Sequence, residues 1–327
     1  AGIRFSAFQN AGPATVYRYD ADYMPADSTV YRRGDIYNTY ATIEPRVAFT
    51  YLLSKVSSVK GSYTRSAQYL ALAQNSTAGT PLDVWFYAGP NIKPQLSGQY
   101  AAGYFRNFSD DMYEVSAEVY YKDLRQLIDF RDHAQLFLNQ HLDGELRIGK
   151  GHAYGLETII RKNDGRLTGW LSYTWSRSYR IVPEINGGRK YVSPFDKPHN
   201  VNIVVSYELF PRLAASATWV YSSGLPVTFP SGRALIGNAL IPVYSDRNSY
   251  RLEDYHRLDL SVTLRSREKQ GKRWHSELNL SVYNAYNRHN TWAVNFVGDS
   301  TDPYVTYAEK TYLFSVIPAL TYTIRFK

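Results

Sequence analysis

The chain has 327 residues, no cysteine, 30 tyrosines against 14 phenylalanines, and 37 basic against 29 acidic side chains, for a formal charge of +8. Aromatics at 15% exclude a disordered chain, and the missing cysteines exclude a disulfide scaffold or a thiolate metal site. No run approaches the ~18 continuous apolar residues of a membrane-spanning helix, and the modest, scattered positive charge does not describe a nucleic-acid surface.

The opening Ala1-Gly2-Ile3-Arg4 carries neither an initiator methionine nor a signal peptide and enters an extended pattern at once. A mature or truncated chain is expected. From there a period of two recurs, and the 3.6 period of helices is almost absent. It predicts twelve strands, over 2–9, 37–53, 55–69, 94–108, 111–124, 147–163, 165–180, 197–210, 212–225, 254–267, 273–288 and 311–326. In the fifth, Tyr113, Val115, Ala117, Val119 and Tyr121 oppose Glu114, Ser116, Glu118 and Lys122. In the eighth, Val201, Ile203, Val205, Tyr207 and Leu209 oppose Asn200, Asn202, Ser206 and Glu208. The tenth sets Leu258, Leu260, Val262 and Leu264 against Arg257, Asp259, Ser261 and Thr263, and the eleventh sets Leu278, Leu280 and Val282 against Glu277, Asn279 and Ser281. The last places Phe314, Val316, Pro318, Leu320, Tyr322, Ile324 and Phe326 on one face.

Connections after the first alternate short and long. Turn formers such as Ser109-Asp110-Asp111 and Asn163-Asp164-Gly165 make the short ones; the long ones run about 10–36, 70–93, 125–146, 181–196, 226–253 and 289–310. All long loops therefore share one end. Long strands with one apolar and one polar face, closed by short turns below and long loops above, describe a transmembrane antiparallel β-barrel, all-β, of the outer-membrane kind. Only a closed sheet pairs every backbone amide in lipid without a helix. A soluble β-sandwich is the competing fold, and it would put long loops at both ends.

Several stretches then resemble a known family. They are YHRLDLSV (Tyr255–Val262), SPFDKPHNVNIVVSY (Ser193–Tyr207), AYGLETIIRKNDGRLTGWLSYTWSRS (Ala153–Ser178) and LNLSVYNAYNRHN (Leu278–Asn290), with GIRFSAFQN, EPRVAFTYLL and KPQLSGQYAAGYFRNF upstream. In order and spacing they are similar to the C-terminal barrel portion of TonB-dependent outer-membrane receptors, with the flavour of those from Bacteroidota. The resemblance implies a 22-stranded barrel closed by a plug domain in the outer membrane of a Gram-negative bacterium. Such a receptor imports a scarce nutrient (siderophore, cobalamin, haem or glycan) with energy delivered through TonB. It implies that residues 1–327 are the C-terminal part of such a barrel, without plug domain or early strands. The partners it implies are outer-membrane lipid and lipopolysaccharide, the plug, TonB and a surface lipoprotein. No cofactor, nucleic acid or enzymatic activity is expected.

Recognition is expected on the long loops, at Trp85, Phe86, Tyr87, Tyr191, Phe229, Tyr244, Arg247 and Trp292, with Tyr304 and Tyr307, since loop aromatics can stack on a ligand or grip a partner. Tyr173, Trp175, Trp219, Tyr221 and Phe314 are expected as girdle residues at the lipid boundary. Glu44, Arg46, Glu114, Glu118, Glu157, Arg161, Arg257, Asp259 and Glu277 are expected to face the lumen, pairing across strands or with the plug, or standing in water. None of the seven histidines has metal-ligand spacing. Ser193 and His199, close in sequence, do not by themselves make a nucleophile and base. The basic run Arg265, Arg267, Lys269, Lys272 and Arg273 is expected at a short solvated turn. The alternatives are a complete twelve-stranded barrel acting as a passive porin or phospholipase-like hydrolase, and a surface or secretion component with no lumenal ligand.

Overall fold

The computed structural model describes residues 1–73, 84–136, 138–237, 239–267, 274–299, 301–302 and 305–326. Twelve long strands form one antiparallel sheet in strict chain order. They are β1 (Gly2–Ala11), β2 (Ile36–Ser54), β3 (Ser57–Gln68), β4 (Gln95–Phe108), β5 (Tyr113–Phe130), β6 (Leu146–Lys162), β7 (Leu167–Ile181), β8 (His199–Phe210), β9 (Leu213–Ser222), β10 (Tyr255–Arg265), β11 (Trp274–Tyr283) and β12 (Ile317–Phe326). Each strand pairs with its chain neighbour, and β1 and β12 do not pair with each other. The sheet is an open wall. No helix among the described residues is long and apolar enough to cross a membrane.

Cross-strand register fixes the two faces. Outward, Trp219 stands opposite Leu258, Leu260 opposite Val282, Val262 opposite Leu280, and Leu280 opposite Leu320. Leu260, Val262, Leu280 and Leu320 are exposed on the isolated wall and the others half-buried, on a face that lipid would cover. One row of this face is entirely tyrosine: Tyr63, Tyr100, Tyr121 and Tyr154 lie opposite one another across β3 to β6. Trp175, Tyr173, Trp219 and Tyr221 extend the aromatic band on the same face. Toward the short turns, Tyr113, Phe210, Trp274 and Phe326 form a second band of exposed rings. Two aromatic girdles flanking an apolar belt are what a barrel wall needs at its two water interfaces.

Short turns join β2 to β3, β4 to β5, β6 to β7 and β8 to β9. In the third, Gly165 takes φ +91 behind Asp164, a left-handed position that favours glycine. At the other end most of the long connections carry small hairpins of their own: Ala14–Tyr19 with Pro25–Tyr31, Leu70–Ala73 with Val84–Tyr87, Pro230–Ile236 with Ala239–Tyr244, and Ala293–Gly298 with Thr306–Thr311.

The structure moves three boundaries. The fifth strand runs on to Phe130, since residues 125–130 pair with 146–150 around a bulge at Gly149/Lys150. The eleventh stops at Tyr283, and the twelfth starts at Ile317 because 306–311 belongs to the loop hairpin. Among the described residues the buried apolar core lies where the loop layer meets the upper ends of β5 and β6, and the lower wall has none. Ala71, Phe86, Ile92, Ile128, Phe130 and Leu146 cluster there, with Phe86 edge-on to Phe130 at 5.9 Å, and Val182, Ile185 and Tyr191 form a second knot.

Candidate functional site

Two buried acids hold the loop layer to the wall. Asp129, at the top of β5, accepts from Tyr191 Oη at 2.7 Å and from Arg247 Nη1 at 3.2 Å, with Arg180 Nη1 at 3.4 Å. Arg247 also donates through Nη2 to Asp132 Oδ1 at 2.8 Å and to the Phe130 carbonyl at 3.1 Å. Asp196 accepts from the Ser178 amide at 2.6 Å and is ion-paired to Arg251 and to Arg177. Such burial is tolerable because each carboxylate is multiply paired. Burial, then the Asp129 charge, pushes the Tyr191 phenol far above its ordinary value, so it remains a donor.

A third knot joins the first loop to the third. Asn91 Nδ2 donates to the Tyr17 carbonyl and to Asp143 Oδ2, both at 3.0 Å. Tyr17 meets His141 edge-on at 4.5 Å, and the Arg147 guanidinium lies 3.5 Å over the Tyr23 ring. Arg147 Nε in turn reaches Glu184 at 2.5 Å. Glu145 accepts from Arg131 Nε at 2.6 Å and from the Gln135 amide at 3.1 Å. Burial raises the Asp143 carboxyl above its usual range. Burial also opposes ionisation of Glu145, but Arg131 and the Gln135 amide overcome it and hold that carboxyl low.

The predicted recognition residues separate into two groups. Trp85, Tyr87, Tyr244, Trp292 and Tyr307 are exposed. Phe86 and Tyr191 are buried in the loop cores, Arg247 is committed to Asp129 and Asp132, and Phe229 stacks on Tyr250 at 5.6 Å and meets Phe296 edge-on at 5.0 Å. Tyr304, Lys269, Lys272 and Arg273 lie outside the described residues. The predicted lumenal charges share the face opposite the apolar belt. Glu44 is buried, accepts from Ser6 Oγ at 2.6 Å, and lies 4.0 Å from both Arg4 and Arg46. Glu114 pairs with Arg161 at 3.4 Å and Arg257 with Asp259 at 2.9 Å. Glu277 stands opposite Arg265, and Glu118 stands opposite Glu157.

A cavity of about 480 Å³ opens where the upper ends of β8 to β11 meet the last loop. Asn200 and Asn202 of β8, Ser222 of β9, Tyr255 of β10 and Tyr283 of β11 supply its wall, and Trp292 and Phe314 come from the loop. Register places the strand residues on the inner face, Asn200 opposite Ser222 and Ser222 opposite Tyr255. Arg257 Nη1 donates to both tyrosine hydroxyls at 2.8 Å, and the two hydroxyls also hydrogen-bond each other, which leaves the pair one proton to donate onward. Phe314 corrects the sequence expectation. Its ring packs edge-on to the inner-face Tyr283 at 6.1 Å and lines the cavity, so it is no girdle residue. The alternation that suggested otherwise ran through 312–316, which is loop.

Two histidines lie on the outward face, His199 Nδ1 at 2.9 Å from Tyr173 Oη and His256 Nδ1 at 2.7 Å from Tyr286 Oη. No group of three His, Asp or Glu side chains among the described residues could hold a metal. Sequence reasoning missed Asp129, Asp196, Glu145 and Arg251, and it missed the cavity. Only the break in alternation at Leu127-Ile128-Asp129-Phe130 signalled any of them.

Among curated proteins, none matches this chain by sequence. By structure the chain is similar to the ferripyoverdine receptor of the Pseudomonas aeruginosa outer membrane, at TM-score 0.57 and 15% identity over 91% of this chain and 34% of that one. It is similar to the siderophore receptor PiuA of Acinetobacter baumannii at 0.55 and 14%, over 89% and 37%. The ferric-catecholate import receptor Fiu of E. coli gives 0.53 and 15%, over the same two shares. The chain thus spans about a third of the length of these receptors, and at such identity the likeness shows the fold. The family of TonB dependent receptor-like β-barrels matches residues 1–285, and this chain belongs to it.

Proposed function

We propose that this wall is the C-terminal part of an outer-membrane active-transport receptor. It binds a scarce nutrient at the long-loop end and imports it with energy supplied through TonB. The observation that carries this reading is the open twelve-strand wall: an apolar outward face between two aromatic bands, a charged and amide-rich inner face, and first and last strands that are not paired with each other. A passive porin or hydrolase closed at twelve strands needs those edges joined. The inner-face carboxylates, including the opposed Glu118 and Glu157, suit contact with a plug domain that brings cations. Lipid and lipopolysaccharide cover the outward face, the exposed loop aromatics Trp85, Tyr87 and Tyr244 offer a grip for a ligand or surface lipoprotein, and no catalytic role is assigned.

The test is accumulation of a labelled ligand by cells carrying the full-length protein, with and without TonB. Uptake that vanishes without TonB while surface binding persists is expected. Uptake unaffected by loss of TonB would overturn the proposal in favour of passive diffusion.

A further inference from the structure

The cavity above β8 to β11 has a chemistry that its position does not require. Its polar lining is mostly amides and hydroxyls, with Lys197 and Glu253, and its apolar lining sets the rings of Trp292 and Phe314 beside aliphatic side chains such as Val220 and Leu313. Asn202 Nδ2 donates to Asn200 Oδ1 at 2.9 Å and to Ser172 Oγ at 3.4 Å, so the pair offers Asn200 Nδ2 and Asn202 Oδ1 to a ligand. Both tyrosine hydroxyls accept from Arg257 and also hydrogen-bond each other, so the pair presents one donor. The charges that could answer an anion are already spent: Arg257 is ion-paired to Asp259, and the lining Glu253 is ion-paired to Lys310 and accepts from Thr291 Oγ1. Lys197 is the one lining side chain whose charge has no ion-pair partner among the described residues.

An anionic chelate needs several charge-assisted donors to replace its hydration. A single lysine does not supply them. Alternating donors and acceptors beside exposed ring faces suit a ligand that has many hydroxyls, apolar C–H faces and no net charge. We infer that this cavity binds a neutral, polyhydroxylated ligand of the saccharide class, with Trp292 and Phe314 as stacking platforms and Asn200, Asn202, Tyr255 and Tyr283 as the hydroxyl-reading groups. The inference rests on the receptor reading above and narrows the ligand of that receptor.

The experiment is a titration of the purified full-length receptor with neutral gluco-, galacto-, manno- and fructo-oligosaccharides and, separately, with a ferric tricatecholate. Intrinsic fluorescence and calorimetry are the readouts. Saturable binding of at least one neutral sugar is expected, weakened about tenfold or more by Trp292→Ala, and also by Asn202→Leu, which keeps the volume and removes the amide. Both variants must keep the heat-modifiable gel shift of a folded barrel, and a second variant pair, Phe314→Ala and Tyr283→Phe, stands in for either that does not. Binding of the ferric chelate with the same sensitivity to Trp292→Ala overturns the inference, as does failure of every neutral sugar to bind. TonB dependence is scored separately. Sugar binding without TonB-dependent uptake sinks the transport reading alone, whereas TonB-dependent uptake of an anionic chelate sinks this inference alone.

Discussion

Arg247 Nη1 donates to Asp129 Oδ1 at 3.2 Å across 118 positions of the chain, so the fifth long loop is pegged to the top of β5. The peg also reaches Asp132 and the Phe130 carbonyl, and Asp129 keeps Arg180 and Tyr191 as further partners. Removing one member of a buried charge pair costs roughly 3–5 kcal/mol when nothing replaces it, and the remaining partners place this case at or below the low end. Arg247→Ala is therefore expected to free residues 223–254 for proteolysis while the wall keeps its heat-modifiable shift. Protease nicking mapped by mass spectrometry reads this out. Equal nicking of variant and wild type would mean that the other tethers, Arg251 with Asp196, Arg189 with Asp246 and Asn248 with the Val192 carbonyl, hold the loop without it.

Asp143 and Glu145, two residues apart, respond to pH in opposite senses. The Asp143 carboxyl is raised by burial. Its contribution to docking is full below the ordinary value and is lost as pH rises through the raised one. Glu145 is held low by Arg131 and the Gln135 amide against its burial. Its contribution is full above the ordinary value and is lost as pH falls through the lowered one. Asp143→Asn should then tighten the docking of residues 14–31 near neutral pH and change little in acid, and Glu145→Gln should loosen residues 131–136 near neutral pH, where its partners Arg131 and Gln135 lie. Hydrogen exchange of the 14–31 hairpin and of 131–136 at about pH 4 and about pH 7 checks the two signs. Faster exchange in Asp143→Asn at the higher pH would contradict the burial argument.

Phe49 lies over Gly61 on the outward face, and a Cβ at Gly61 would stand 2.3 Å from Phe49 Cε1. The ring covers backbone that a glycine leaves bare, a recognised device for strand glycines. Gly61→Ala forces the ring aside, whereas in a Phe49→Ala background the three closest contacts of the new methyl are gone. A coupling of about 0.5–3 kcal/mol is expected from a double-mutant cycle on the folded barrel in detergent. Strict additivity would show that the ring moves at no cost.

The wall was legible in the sequence and the loop layer was not, for one physical reason. Lipid on one side and polar lumen on the other impose a period of two, so Leu258, Leu260 and Val262 declare their face without knowledge of their partners. The loop layer is held by long-range pairs such as Arg247 with Asp129, which no local pattern encodes. Leu127, Ile128 and Phe130 are all buried in that layer. They broke the alternation and were expected in a loop, although they continue β5. Phe314 failed in the opposite way, since a periodic run carried it onto the lipid face when its ring packs inside. Of the recognition residues, exposure at Trp85, Tyr87, Tyr244 and Trp292 accords with loop aromatics. Phe86 and Tyr191 show that an aromatic in a long loop can equally be the core of that loop.

The face assignment can be tested at a single pair of neighbours. Leu260 lies outward opposite Ala217 and Val282, and Ser261 lies inward opposite Ser216 and Ser281. An arginine at the midplane of a lipid-facing row costs roughly 2–4 kcal/mol, while the lumenal row offers water and polar neighbours. Leu260→Arg is expected to lower the yield of assembled barrel in outer-membrane fractions, and Ser261→Arg is expected to assemble normally. One residue of register separates the two outcomes, because a slip of one exchanges every side chain between faces. Assembly of Leu260→Arg together with failure of Ser261→Arg would therefore invert the wall, and with it the inner-face placement of Asn200, Tyr255 and the cavity.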